Sequence, residues 1–589
     1  MSDDTVPRRK FLALGGITGA TLLTGYAAAT GRSSTDRRQD QSEGDESMHA
    51  EDSNPSSDHI ELSFLGRYET GQFDEGAAEI VSYDPDLQRA FFVNAEEATV
   101  NAVDLGDPSN PEKVGTADLS DAWTDAGDAT SVDVHDGLVA ATVAADDATN
   151  PGKVVFYDGR TLELDSMETV GANPDMVTFT PDGKRVLTAN EGEPNDEYDT
   201  DPRGSVSVVS IAGRDGNCAV EIAGFTAYDG KEDELREQGV RIFGPDASAS
   251  QDFEPEYITV SADSKTAWVS LQENNALAVV DIVSATVTDI LPLGYKDHML
   301  PGNELDASNE DGGMNIRNWP VYGMYQPDGI ASYEVGEASA DAAGSQTSSG
   351  DGETYIVTAN EGDARDYDGF SEEVSLEDLE LDPDAFDFDR IEGIDDVEEL
   401  QAEENLGSLH VTNQLGDVDG DGKFEEIYVF GGRSFSIWNG EGKLMYDSGS
   451  EFARIIARQY PDHFNTDNDE NDPDSRSDNK GPEPEGVDVG VVDGRTYAFI
   501  GLERMGGIMV YDVSNPQNAE FVQYLNDRDF SVDVGDQIDD GDLPVGAAGD
   551  LGPEGVTFVS AEESPTDAPL VLTGNEISGT MAVHRVDSL

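Results

Sequence analysis

The sequence predicts an all-β fold, a β-propeller of seven or eight four-stranded blades with acidic loop insertions on one face. Three observations carry this expectation. Runs of four to seven residues rich in Val, Ile, Phe and Thr recur along the chain, separated by Asp-Gly or Asn-rich turns. The pentapeptide TANEG is written twice, from Thr188 and from Thr358. The segments that align with it share one internal order: a short anchor, an apolar run ending in Glu, then usually another apolar run.

From the N-terminus, Arg8-Arg9-Lys10 opens an apolar run that ends in Ala27-Ala28-Ala29. Residues 1–29 are therefore expected to be a signal peptide of the twin-arginine export type. Residues 30–58, rich in Ser, Asp, Gln and Arg without periodicity, are expected to be a disordered polar spacer. Residues 59–589 are expected to form a single propeller domain. Its Glu-terminated runs are FVNAE (92–96), LTANE (187–191), VSLQE (269–273), VTANE (357–361), FIGLE (499–503) and LTGNE (572–576). Their upstream anchors are AEIV (78–81), PDMV (174–177), PEYI (255–258), PDGI (327–330) and PEGV (484–487 and 553–556). Two weaker copies, SVDVHDGLVAATVAADD with KVVFYD and EIYVFGGRSFSIWN, fill the gaps. A stack of β-sandwiches would show Greek-key spacing rather than one motif in constant order.

In a propeller blade the innermost strand crosses the disc and the second returns, so the start of one and the end of the other share a face beside the channel. This pairs Asp175 with Glu191, Glu256 with Glu273, Asp328 with Glu361, Glu485 with Glu503, and Glu554 with Glu576 as ligand-binding candidates in one carboxylate ring. Asp and Glu make up 124 of 589 residues, about a fifth, so fewer than two acids are expected at eight aligned positions, and six carry Glu. Each Glu taken singly serves equally well as an acceptor for backbone N–H groups of the next blade. Together, so many carboxylates cannot stay ionised around one channel without cations or basic partners. Calcium, which seeks oxygen donors, is the expected ion. The copy GGRSFSIW carries Arg433 where the others carry Glu. It is either a counter-ion or a bidentate clamp for an anionic ligand, and Arg504, next to Glu503, adds a second positive group.

Asp417, Asp419 and Asp421, followed by Gly422, have the D-x-D-x-D-G form of a calcium loop. Position twelve is Tyr428 rather than Glu, so Glu425 or Glu426 is expected to complete the shell. Two acidic insertions, about 363–405 and 465–483, are expected over the same face, where rigid scaffolds place function.

The charge is a property of the whole surface, with 34 Lys+Arg against 124 Asp+Glu and a net charge of −90. It excludes nucleic acid and anionic membrane as partners and suits very high salt, where screening falls to about 3 Å at molar strength. Cys218 is the single cysteine, so no disulfide framework or Cys-based zinc cluster is available. There is no HExxH or paired-His spacing and no G-x-S-x-G elbow. After signal removal no remaining stretch is long and apolar enough to span a bilayer.

Several longer stretches, among them PDMVTFTPDGKRVLTANEGEPNDEY, TANEGDARDYDGF, GGRSFSIW, RSDNKGPEPEGV, AFIGLERMGGIMVYDV and GNEISGTMAVHRV, resemble the choice-of-anchor I family. These are secreted or surface-attached propellers of bacteria and archaea, similar to animal mesenchyme-specific cell-surface glycoproteins. The resemblance runs from about residue 60 onward and implies a YVTN/WD-like propeller outside the cytoplasm. Members are often labelled alkaline phosphatase or are fused to phosphoesterase domains, and PEGV resembles the esterase-like phytase propellers. No fused nuclease or phosphatase domain and no C-terminal anchor is visible in the sequence. Two functions follow as expectations. The first is an extracellular, calcium-stabilised cell-surface or secreted binding or structural propeller, with inorganic cations and a surface component as partners. The alternative is a metal-dependent phosphoesterase, in which ring carboxylates hold Ca²⁺ and Arg433 orients the phosphate of a small molecule.

Overall fold

Among the described residues the apolar runs pair as antiparallel strands and build seven four-stranded sheets. This is the arrangement in a computed structural model of the protein, which describes residues 59–211, 218–336, 352–468, 470–532, 534, 537–538 and 543–589. The expected signal peptide and spacer lie outside the described residues. Sheets one to seven are defined by their innermost strands, Val81–Asp84, Ala126–His135, Pro174–Phe179, Pro255–Val260, Ile330–Val335, Pro484–Val492 and Pro553–Val559. Each innermost strand contacts the next in chain order, and the seventh contacts the first, so the sheets close into a propeller.

Ring closure uses both ends of the domain. The outermost strand of the seventh sheet is Ile60–Glu69, paired antiparallel with the C-terminal strand Thr580–Ser588. Arg67 on that strand reaches Asp527 at 3.2 Å and Asp550 at 2.8 Å, fastening it to the loops before the seventh sheet.

Apolar residues on both faces of the inner strands follow from this geometry, because each sheet packs against two others. The second strands Arg89–Asn94 and Arg185–Asn190 are buried throughout apart from their first residue, whereas the outer strand Glu112–Asp118 is mostly exposed. Every sheet-to-sheet interface encloses its own apolar cluster, such as Leu187, Val206, Phe253 and Val269 between sheets three and four. Phe435, Phe452 and Tyr511 fill the interface between sheets five and six. Burying each such side chain is worth about 1.5–3 kcal/mol.

The glycine of the PDG and PEG anchors has a packing reason. A Cβ at Gly329, Gly486 or Gly555 would meet the carbonyl oxygen of Glu485, Glu554 or Glu79 in the next sheet. Innermost strands converge at the channel, and only glycine allows this approach.

One expected repeat is not a repeat. Within EIYVFGGRSFSIWN, Tyr428–Val429 belongs to a separate mixed sheet, and Ser434–Asn439 is the third strand of sheet five. The chain between the second and third strands of sheet five, residues 361–433, is an insertion larger than the expected 363–405. It joins the segment after sheet four in a five-stranded sheet of Tyr295–Asp297, Tyr322–Met324, Tyr428–Val429, His410–Thr412 and Glu373–Ser375. This unit has its own core, including Trp319, Leu376, Leu400, Leu406 and Val411. The 465–483 segment forms turns over the channel mouth, with Asp474, Ser477 and Glu483 buried.

Candidate functional site: a carboxylate ring at the channel mouth

The duplicated TANEG is first a local locking device. In sheet three, Thr188 Oγ1 donates to Asn190 Oδ1 at 2.8 Å, and Asn190 Nδ2 donates to Ser205 Oγ and Ser207 Oγ on the third strand. Sheet five repeats it: Thr358 donates to Asn360, which donates to Ser434 Oγ and Ser436 Oγ. The glycines that end the motif, Gly192 and Gly362, have φ of +72° and +97° and abut the returning chain at Arg203–Gly204 and Phe430–Gly431. Thr and Asn therefore satisfy one another and the S-x-S of the third strand, which leaves the following Glu at the strand end beside the channel.

Register places the ring. Pro174 pairs with Asn190, Pro255 with Leu271, Pro484 with Leu502 and Pro553 with Asn575. The residue after each second strand is then Glu191, Gln272, Glu503 or Glu576, with Glu361 following Asn360 in sheet five. Two expected positions are corrected by one residue. In sheet four Gln272, not Glu273, takes the ring position, and its Nε2 donates to Glu361 Oε2 at 3.0 Å. In sheet one Ala95 takes it and Glu96 is exposed. A slip of one residue turns a strand's side chains to the other face, which is why alignment on Glu alone misplaced them.

The carboxylates gather across sheets as well as within them. Asp175 and Glu191 meet Glu256 of sheet four, Asp328 and Glu361 meet Glu485 of sheet six, and Glu554 and Glu576 meet Glu79 of sheet one. In each triad the carboxylate oxygens lie within 4.8 Å of one another. Burial, then like charges, push several of them upward. Glu193 and Asp175 act on Glu191, Glu191 and Glu273 act on Glu256, and Glu503 and Glu554 act on Glu485. Burial also raises Glu273 to about 7, although Arg365 opposes it.

Arg433 does not compensate this charge. Because Ser434 pairs with Asn360 as Ser205 pairs with Asn190, Arg433 is the counterpart of Gly204 rather than of a ring Glu. It is 8% exposed, has φ +49°, and donates to the backbone carbonyls of Asp306, Ser477 and Asn479. Burial lowers its pKa to about 10, although Asp306, Asp478 and Glu483 oppose the shift. The counter-ions are other residues. Lys480 Nζ lies 2.6 Å from Glu361 Oε1 and 3.1 Å from Glu483 Oε2. Arg504 contacts Glu503 at 3.1 Å, Glu483 at 3.3 Å and Asp467 at 3.5 Å. Burial works to raise Glu483, but Arg476, Lys480 and Arg504 overcome it and hold it well below the usual carboxylate range.

A second cluster flanks the ring. Arg365, seven residues beyond the Thr that opens the second TANEG, is wholly buried and ion-paired with Asp252 at 3.2 Å and Glu254 at 3.0 Å. Arg241 pairs with Glu372 and donates to Glu273 O. Both guanidinium groups lie within 5 Å of the Phe243 ring centre, at 4.2 and 4.6 Å. Arg241, Arg365, Arg476 and Lys480 escaped the sequence reading. Their signal was scarcity: basic residues are few in this chain, and Arg365 and Lys480 sit inside or beside the repeated motifs.

Asp417, Asp419, Asp421 and Glu425 converge with carboxylate oxygens within 4.8 Å, in the loop between His410–Thr412 and Tyr428–Val429. Asp417 accepts from the N–H groups of Gly420, Asp421 and Gly422, and Glu425 accepts from Val418. Glu426 is instead the acceptor of Tyr428 Oη. An all-oxygen donor set on one turn fits a hard cation of the calcium type.

A family model described as the choice-of-anchor I domain matches residues 79–516. The chain belongs to the choice-of-anchor I family. The matched span opens at Glu79, a ring residue, and includes every basic counter-ion described above. This choice-of-anchor I protein is 30% identical over 201 residues to Gigasin-3a of Magallana gigas, covering 33% of this chain and 69% of that one. It is 32% identical over 315 residues to the mesenchyme-specific cell surface glycoprotein of Strongylocentrotus purpuratus, covering 48% of this chain but only 38% of that protein. Among solved structures it is similar to Kuenenia stuttgartiensis hydrazine synthase, with TM-score 0.42, 12% identity and 88% and 99% of the two chains covered. It is also similar to the Cps50 (Swd1) β-propeller domain of Myceliophteria thermophila, with TM-score 0.38, 7% identity and coverage of 89% and 99%. Scores of this size leave the architecture to be argued from the sheets themselves. Among the described residues no helix is long and apolar enough to cross a membrane.

Proposed function

We propose that this choice-of-anchor I protein is an exported, cell-surface or secreted propeller that binds calcium and serves as a structural or binding component outside the cell. The observation that carries the reading is the gathering of three carboxylate triads at one channel mouth. The acidic surface, the twin-arginine N-terminus and the likeness to a protein named as a cell surface glycoprotein support the location. The Asp417–Glu425 loop supplies a further all-oxygen donor set. The structural calcium reading is tested by melting the full chain in high salt with Ca²⁺ and with EDTA. A melting temperature indifferent to chelation refutes it, and cell fractionation that finds the protein in the cytoplasm refutes the location.

The phosphoesterase alternative asked Arg433 to face a phosphate, but its terminal nitrogens are taken by three backbone carbonyls. The binding reading therefore stands ahead. Hydrolysis of p-nitrophenyl phosphate or phytate by the purified protein, abolished by EDTA, would reverse that order.

A further inference from the structure

We infer that the Asp328–Glu361–Glu485 triad is a discrete site for one hard divalent cation of the calcium type, stapling sheet five to sheet six. The inference rests on the calcium reading above and gives it a named site. Two residues come from sheet five, one from the start and one from the end of its first strand pair, and the third opens sheet six. Two oxygens held about 2.4 Å from one ion stand at most about 4.8 Å apart, which is the span within which these three carboxylates lie.

The acidic cluster alone would not carry the assignment; Glu485 does. It is 7% exposed, its Oε2 makes no hydrogen bond, and that carboxylate is one of the three that converge. A buried carboxylate oxygen with no donor is costly unless a cation or a proton meets it. Burial and the charges of Glu503, Glu554, Glu361 and Asp328 all push its carboxyl upward. Glu361 differs: Lys480 takes Oε1 and Gln272 donates to Oε2. With no nitrogen or sulfur donor in the triad, the donor set selects Ca²⁺ over zinc or copper. At the corresponding place one interface earlier, Gln272 stands where an acid would complete Glu256 and Asp328, so that interface offers a weaker site.

The test titrates Ca²⁺ alone into the full chain at high salt by calorimetry, and melts the same samples with Ca²⁺ and with EDTA. Wild type, Glu485→Gln and the loop variant Asp417→Asn are compared. Glu485→Gln is expected to lose one calcium-binding event, or to weaken it at least tenfold, while the loop's event persists. In EDTA it should melt at or above wild type, since a buried like charge is gone, and in Ca²⁺ below it. A variant destabilised equally with and without Ca²⁺ would show a purely structural glutamate and overturn the site. Unchanged calcium stoichiometry in Glu485→Gln, with binding lost in Asp417→Asn, would overturn the triad yet spare the calcium reading. A wild-type chain that binds no Ca²⁺ would overturn both.

Discussion

Lys480 Nζ lies 2.6 Å from Glu361 Oε1, so an ammonium carried by the 465–483 segment is lodged at the boundary between sheets five and six. The two side chains are 14% and 11% exposed, which puts the pair in the regime where losing one partner strands a buried charge. Lys480→Met should therefore cost about 3–5 kcal/mol in EDTA. Added Ca²⁺ should recover part of the loss. Denaturant unfolding in the two conditions measures both effects.

Gly486 presses against the carbonyl of Glu554 in the next sheet. Gly486→Ala should destabilise by about 1–3 kcal/mol, since neither backbone can retreat from the channel. Gly224→Ala meets nothing within 4 Å and should stay within about 0.5 kcal/mol of wild type. Equal effects at the two positions would contradict the close-approach account.

Asn190 and Asn360 hold equivalent networks in sheets three and five. Replacing either by Ala leaves buried hydroxyls without their partner and should cost about 1–3 kcal/mol. The sites share no partners, so the double variant should be additive within about 0.5 kcal/mol. Thermal unfolding of the two single variants and the double variant decides.

The clasp of the closing strand should respond to pH. Burial and then Asp527 push Asp550 up to about 7, while Arg67 and the Thr580 hydroxyl oppose the shift. Its folded pKa thus exceeds the ordinary value of 3.8, so the folded state holds a proton that the unfolded chain releases. That contribution is complete below about 3.8 and is lost as pH rises through about 7. His584, nearby and lowered by burial, acts with the opposite slope on the acid side of its usual value of 6.5. Asp550→Asn mimics the protonated acid and should flatten the decline in melting temperature between about pH 4 and pH 7. An undiminished decline would place the titrating group elsewhere.

A net charge of −90 implies strong self-repulsion at low ionic strength. Melting temperature should rise between about 0.2 and 2 M KCl as the screening length falls from roughly 7 to 2–3 Å. A flat dependence would mean that the surface charge is compensated by tightly bound ions already present at low salt.

Much of this architecture was written in the sequence, because a blade is a local object. Its strands lie within a few residues of one another, so the Pro-Asp or Pro-Glu anchor, the apolar run and the closing Glu recur in fixed order. The carboxylate at the start of each first strand could be read from Asp175, Glu256, Asp328, Glu485 and Glu554 alone. Glu273 could not be placed, since the strand ends at Leu271 opposite Pro255, which puts Gln272 next, and spacing alone does not reveal that pairing.

Arg433 shows where local reading ends. The 361–433 insertion separates the second strand of sheet five from its third, so a segment that looked like another repeat completes an earlier one. Which Glu joins which across a sheet boundary, and that Lys480, Arg504 and Arg365 rather than Arg433 face the carboxylates, are matters of inter-sheet packing. Sequence by itself determined the repeating unit and its acidic face, because periodicity records pairing between neighbours in the chain. The tertiary structure alone decided the triads and their counter-ions, because those contacts join residues that only closure of the ring brings together.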